Sequence, residues 1–267
     1  MGILDCTEIG TAWVGGVEMA EIWAGGARIW ENAAPRIADH YGTGPGQIAI
    51  HLNSDAATLD GAGRVTAIAN QGGAGPVFNA VVSGAPIPVA GALLQMAAST
   101  GFPVLANPAD LLGVRLMWVS TVSTVNATRY FGSVDHGPAG ADYEIRTNMV
   151  GSTWTMQLWD NEGGTGSSVT LTPRVAIPGG IHLLELNFAA SGNVTLYQDG
   201  VAISAANASG AFSAFFLDRI GQGTSTANMF EGQMGDVLGV ILGGAADDTI
   251  ATARAWLAAR YPALMLP

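Results

Sequence analysis

Lysine is absent from this 267-residue chain, and all ten basic side chains are arginines. Against 21 acidic residues they leave a formal net charge of −11 and a pI near 4.5. Such a balance disfavours electrostatic capture of nucleic acid or of an anionic membrane, so neither is an expected partner. Cysteine is nearly missing as well, and the lone Cys6 excludes an internal disulfide framework. Although mean hydropathy is +0.32, no stretch approaches the roughly 20 uninterrupted apolar residues of a membrane span, so membrane insertion is not expected. The opening Met-Gly-Ile-Leu-Asp lacks the basic segment and apolar run of a secretory signal, which points to synthesis and folding in a cytoplasm.

What the chain has instead is glycine and apolar sequence. Hydrophobic residues make up 49%, charged residues 12%, and 37 positions are glycine, which suits many short strands joined by turns better than a helical enzyme. The length allows one large sandwich or two smaller domains, either with a substantial core. Scarce charge on a Gly- and Ala-rich surface implies that other subunits cover part of it, so a homo-oligomer is expected.

Local pattern then places elements. Residues 194–198 and 201–203 flank Asp199-Gly200, which supplies the two positive-φ positions of a type I′ hairpin. Strand-sized runs fall at 113–120, 129–134, 143–147, 153–159, 168–171 and 181–188. In the last, Leu184, Leu186 and Phe188 alternate with Glu185 and Asn187, predicting one core face and one wet face. A helix is expected from about Asp248 to Tyr261, with Ile250, Ala253, Leu257 and Tyr261 on one stripe and acids before bases along its dipole; Pro262 stops it. The stripe is expected to seal an end of the sandwich or its back.

The hairpin is followed by Phe215-Phe216-Leu217-Asp218-Arg219-Ile220-Gly221, by the strand-like run 230–242, and by the helix. This order resembles the C-terminal part of concanavalin A-like lectin/glucanase jelly rolls of the laminin-G type, in the version common in bacteriophage and phage-like virion proteins. Residues 61–75, ending Asn70-Gln71-Gly72-Gly73, are similar to the strand and Asn-x-Gly-Gly turn that open such phage domains, so the similarity spans about residues 38–267. It implies an all-β antiparallel β-sandwich (jelly roll) over 36–267 with one C-terminal helix. That fold mainly displays a sheet and loops to glycans and only in some branches cuts them, and the fold alone does not choose.

Residues 1–35 read separately. Ala12-Trp13-Val14-Gly15-Gly16-Val17-Glu18-Met19 is echoed ten residues later by Ile22-Trp23-Ala24-Gly25-Gly26-Ala27-Arg28-Ile29-Trp30, each unit a strand, a Gly-Gly turn and a strand. Two roles fit Trp13, Trp23 and Trp30: covering an end of the sandwich, or docking and oligomerisation. Similar segments open many phage tail and fibre proteins, so the resemblance implies a small N-terminal β-hairpin module that holds the protein on other virion proteins. A trimer would suit a spike or fibre.

Chemistry is sparse. Glycan-cleaving relatives of this fold often carry a Glu-x-Asp-x-x-Glu strand, and it is absent here; Asp142-Tyr143-Glu144 lacks the third acid. Four histidines show no metal spacing, and no Gly-x-Ser-x-Gly elbow or phosphate loop occurs, so no catalytic residues are assigned. Alternation in 153–159 sets Trp159 beside Gln157 and apart from Trp154, Met156 and Leu158. Trp159, Gln157, Glu144 and Arg146 form the candidate sugar-contacting patch if their strands adjoin; otherwise the indole lies under a loop or at a subunit contact. Laminin-G-type domains often bind calcium on their rim, for which Asp135, Asp160 and Glu162 are the available carboxylates, but no dense acidic loop supports one and no cofactor is expected. The expectation is a non-enzymatic virion component that attaches to host-surface glycan, with a purely structural tail, collar or decoration subunit as the alternative and a depolymerase as the third reading.

Overall fold

The computed structural model describes residues 13–14, 17–18, 21–24 and 27–31, as backbone only, and residues 44–266 apart from 85, 90, 97–100, 123–127, 135–140, 151–152, 161–166, 172–174, 177–178, 206–211, 225–228 and 265. The chain divides into two compact units, Met1–Pro35 and Arg36–Pro267.

In the first unit β1 (Trp13–Val14) pairs with β2 (Val17–Glu18), and β3 (Glu21–Ala24) with β4 (Ala27–Glu31), both antiparallel. Val14 faces Val17 and Ala24 faces Ala27, so each connection is two residues long, Gly15-Gly16 and Gly25-Gly26, the length of a tight hairpin. The conformation of those glycines and the side chains of Trp13, Trp23 and Trp30 lie outside the described residues.

The second unit begins with β5 (Ile48–Leu52), β6 (Ala57–Leu59), β7 (Val65–Ile68), β8 (Ala80–Gly84), β9 (Ile87–Val89), β10 (Leu93–Met96) and β11 (Gly101–Asp110). It continues through β12 (Val114–Thr121), β13 (Arg129–Ser133), β14 (Tyr143–Val150), β15 (Thr153–Asp160), β16 (Ser167–Thr170) and β17 (Val175–Ala176). Last come β18 (Ile181–Phe188), β19 (Val194–Gln198), β20 (Val201–Ala205), β21 (Phe216–Ile220), β22 (Gly232–Ile241) and the helix α1 (Ala246–Arg260). One sheet runs β20-β19-β18-β12-β22-β10-β9, with β5 also on β22; the other runs β16-β15-β14-β13-β21-β11-β8-β7-β6, with β17 on β15. The result is the expected antiparallel sandwich of jelly-roll type with a C-terminal helix.

Period-two patterning builds the core between the sheets. Trp118, Leu184, Leu186 and Phe188 come from one sheet and Phe131, Tyr143, Ile145, Trp154 and Leu158 from the other, all buried. Trp118 meets Phe131 edge-on across the layer, with ring centroids 5.0 Å apart. Two turn signals act as read. Asp199 and Gly200 take φ of 50° and 84°, and the Asp199 carboxylate also accepts bonds from Leu183 N and His182 Nδ1. Asn70 Oδ1 accepts from His51 N and Gly72 N while its Nδ2 donates to Ala49 O and Gly75 O, tying the turn to β5. Gly72 lies so close to that strand that a Cβ there would sit 2.3 Å from Ala49 O.

One expectation needs correction. The second face of β18 is not wet, because α1 lies across it. Ile250, Ala253, Leu257 and Tyr261 pack on Met117, Val119, Leu183, Leu238 and Val240, closing the back of the sheet. Glu185 is therefore fully buried, and its carboxylate accepts from Arg115 Nε at 2.7 Å and Arg254 Nε at 2.9 Å. The Arg115 guanidinium lies 3.7 Å over the Tyr197 ring. A charge in an alternating strand thus marks an ion-paired seam under a helix, which alternation alone does not distinguish from solvent.

Candidate functional site

The outer face of the second sheet, opposite its core side, carries the residues that the sequence nominated. Antiparallel register sets Glu144 opposite Trp159 and Arg146 opposite Gln157 on β14 and β15. Since alternate residues share a face, Glu144 and Arg146 on one strand and Trp159 and Gln157 on the other form a square of neighbours, while Trp154, Met156 and Leu158 point into the core.

Glu144 is the keystone of this square, at 1% exposure. Its Oε1 accepts from Arg129 Nε at 2.6 Å and from Thr224 N and Oγ1 at 2.9 and 2.8 Å, and its Oε2 accepts from Arg146 Nη1 at 3.1 Å. A carboxylate engaged on both oxygens is satisfied where it is and has little left for a ligand. It holds Arg146, whose Nε donates to Gln157 Oε1 at 2.8 Å and whose guanidinium lies 5.8 Å over the Trp159 ring. Arg146, Gln157 and Trp159 all remain half-buried. What the face offers outward is an indole with a guanidinium and an amide fixed around it.

Sequence reading missed four contributors. Arg129 lies on β13 opposite Arg146, and only the sheet order brings it to Glu144. Thr224 arrives from the loop after β21, 80 residues away in the chain. Two glycines let that loop lie flat on the sheet: a Cβ on Gly132 would come within 2.5 Å of Gly223 Cα, and one on Gly223 within 2.3 Å of Glu144 Oε1. No local pattern announces such a contact.

Of the candidate calcium carboxylates, Asp160 alone is described. Asp135 and Glu162 fall outside the described residues, and Asp160 is buried at 8% opposite Tyr143, on the face away from Trp159. No group of three or more His, Cys, Asp or Glu side chains is placed to hold a metal among the described residues. No described helix is long and apolar enough to cross a membrane.

No protein-family model matches the chain, and no curated protein matches it in sequence. Among solved structures it is similar to domain 4 of an extracellular GH43 arabinanase from Geobacillus stearothermophilus, in complex with arabinotriose. The identity there is 16%, over 78% of this chain and 98% of that one, with a TM-score of 0.49. The botulinum neurotoxin serotype D binding domain matches at 10% identity, over 79% of this chain and 52% of that one, with a TM-score of 0.49. A Trypanosoma rangeli sialidase matches at 12% identity, over 80% and 34%, with a TM-score of 0.48. The chain thus spans about half of the toxin domain and a third of the sialidase. At these identities and scores the similarity says nothing about what this chain binds.

Proposed function

We propose that this chain is a non-enzymatic attachment component of a phage or phage-like virion, whose jelly roll binds host-surface glycan and whose N-terminal hairpins dock it to other virion proteins. The observation that carries the binding half is the outer face of β14 and β15. Trp159 offers an apolar surface to the C–H face of a sugar, Gln157 and Arg146 offer directional donors beside it, and buried Glu144 keeps Arg146 in place. Pre-positioned polar groups around one half-exposed aromatic lower the ordering cost of a shallow site. Such a site is weak by itself and gains from several copies on one particle. The virion half rests on the repeated Trp-Gly-Gly hairpins and on the order of the C-terminal elements, which resemble phage proteins.

The test is a glycan array and a whole-cell binding assay with the full chain, with and without calcium, beside Trp159→Ala. Binding that falls about tenfold or more in the variant, with a melting temperature within a few degrees of wild type, is expected. No binding in any oligomeric form would transfer the proposal to a purely structural virion subunit, and a large stability loss would assign Trp159 to the core.

A further inference from the structure

On the opposite side of the sandwich, α1 and β5 border a groove of about 430 Å³. This is a volume in the range of small-ligand sites. Its apolar wall is Ile48, Leu238 and Ala253, and Trp256 stands at its side with 40% of its surface exposed. The indole stands outside the helix stripe of Ile250, Ala253 and Leu257, with the Arg260 guanidinium 5.4 Å over its ring. Asp248, Thr252 and Trp256 recur every four residues, so one ridge of α1 presents a carboxylate, a hydroxyl and an indole along the groove. Asp248 and Thr252 are both exposed.

His51 completes the lining from β5. Its Nε2 lies 2.7 Å from Asp236 Oδ1 and 3.1 Å from Asn53 Nδ2, so that ring nitrogen is engaged inside the protein. Asp236 is itself fully buried and fixed by Tyr261 Oη and by Arg260 Nε at 2.8 Å. His51 Nδ1 has no hydrogen-bond partner among the described residues, and a sugar hydroxyl, which both donates and accepts, can meet it in either form. His51 meets Trp256 edge-on at 5.2 Å, so imidazole and indole brace each other.

We propose that this groove is a second saccharide site, taking a neutral sugar ring that carries a methyl group in place of a hydroxymethyl. The methyl seats on Ile48, Leu238 and Ala253, where a hydroxyl would lose its hydrogen bonds to water without replacement. Ring hydroxyls reach His51 Nδ1, Asp248 and Thr252, and Trp256 flanks the ring. Asp248 and the chain's net charge of −11 disfavour acidic sugars. The site is independent of the Trp159 face and lies on the other sheet, so one chain would engage two glycan residues at once.

The test uses nuclear magnetic resonance of the full chain, following the backbone amides of Thr249, Thr252 and Ala253 while methyl fucoside or methyl rhamnoside is added. The 6-hydroxylated parent sugars and N-acetylneuraminic acid are titrated alongside. Saturable shifts with a 6-deoxy sugar, about tenfold weaker with its parent and absent with the acidic sugar, are expected. Trp256→Ala and Thr252→Tyr should each weaken binding about tenfold or more, and Trp159→Ala should leave it unchanged. Thr252→Tyr fills the groove from an exposed helix position, which guards against a folding loss in the first variant. No saturable shift with either 6-deoxy sugar, or binding that survives Thr252→Tyr, overturns the proposal. Sugar binding removed by Trp159→Ala alone would overturn it too while leaving the Trp159 face intact.

Discussion

Glu144 is a buried carboxylate with two arginines on it, and the cost of disturbing such a group is asymmetric. Removing the charge while Arg129 and Arg146 stay leaves two half-buried guanidinium groups without their counter-ion, which costs more than the pair itself contributes. Glu144→Gln should therefore lower stability by about 3 kcal/mol or more, read as a lower urea midpoint at unchanged slope, and should weaken glycan binding by releasing Arg146. A midpoint within error of wild type would remove Glu144 from the structural role. Gly132→Ala tests the other half of the arrangement. Its new methyl meets the Gly223 backbone, so a loss of about 1–3 kcal/mol is expected, with binding reduced as Thr224 is pushed off Glu144. Trp159 was legible in the sequence because alternation separates it from Trp154, Met156 and Leu158. Thr224 was not, because its partner lies 80 residues away and no local rule links them.

At the scale of elements, α1 is held to the sheet by charge as well as by its apolar stripe. Arg254 reaches Glu185 and Arg260 reaches Asp236, so the bases at the end of the helix, legible as dipole partners, are also its anchors. This clamp contributes to both the acid and the alkaline arm of the pH dependence of stability. Burial alone would push the Asp236 carboxyl up, but bonds from His51 and Tyr261 and the Arg260 charge outweigh it and hold the group below its ordinary 3.8. A depressed carboxylate stabilises the fold above its unfolded value, and that contribution is lost as pH falls through the folded value. The Tyr261 phenol is displaced the other way, raised above its ordinary 10.0 by burial, by the Asp236 charge and by their hydrogen bond. Its contribution is full below pH 10 and is lost as pH rises towards the folded value. Wild type should therefore lose stability above pH 10 more steeply than Tyr261→Phe, by about 1.4 kcal/mol per pH unit, in denaturant melts run at closely spaced pH values. Parallel alkaline arms would mean that Tyr261 does not carry the effect.

At the scale of the molecule, the second unit contains the sandwich, its core and the helix clamp, so it has what a domain needs to fold alone. Deleting residues 1–34 should leave a soluble chain that unfolds in one cooperative transition, as followed by circular dichroism, yet is not incorporated into particles. Normal incorporation would end the docking role proposed for the hairpins. Among its described residues the first unit has two short two-stranded ladders, a kind of element that is marginal on its own in water.

The sequence by itself determined what depends on neighbours along the chain. The lone Cys6 left no internal disulfide to form, Asp199-Gly200 and Asn70-Gln71-Gly72-Gly73 set turns, period-two runs set strands, and the stripe from Ile250 to Tyr261 set a helix. Tertiary structure alone decided what depends on neighbours across it. Strand order put Arg129 beside Glu144, the placement of α1 turned Glu185 from a surface charge into a buried one, and the loop after β21 closed over Gly132. The physical reason is range: turn geometry and side-chain periodicity are set within a few residues, whereas the burial of a charge and the choice of its partner depend on which distant segments the sheets bring together.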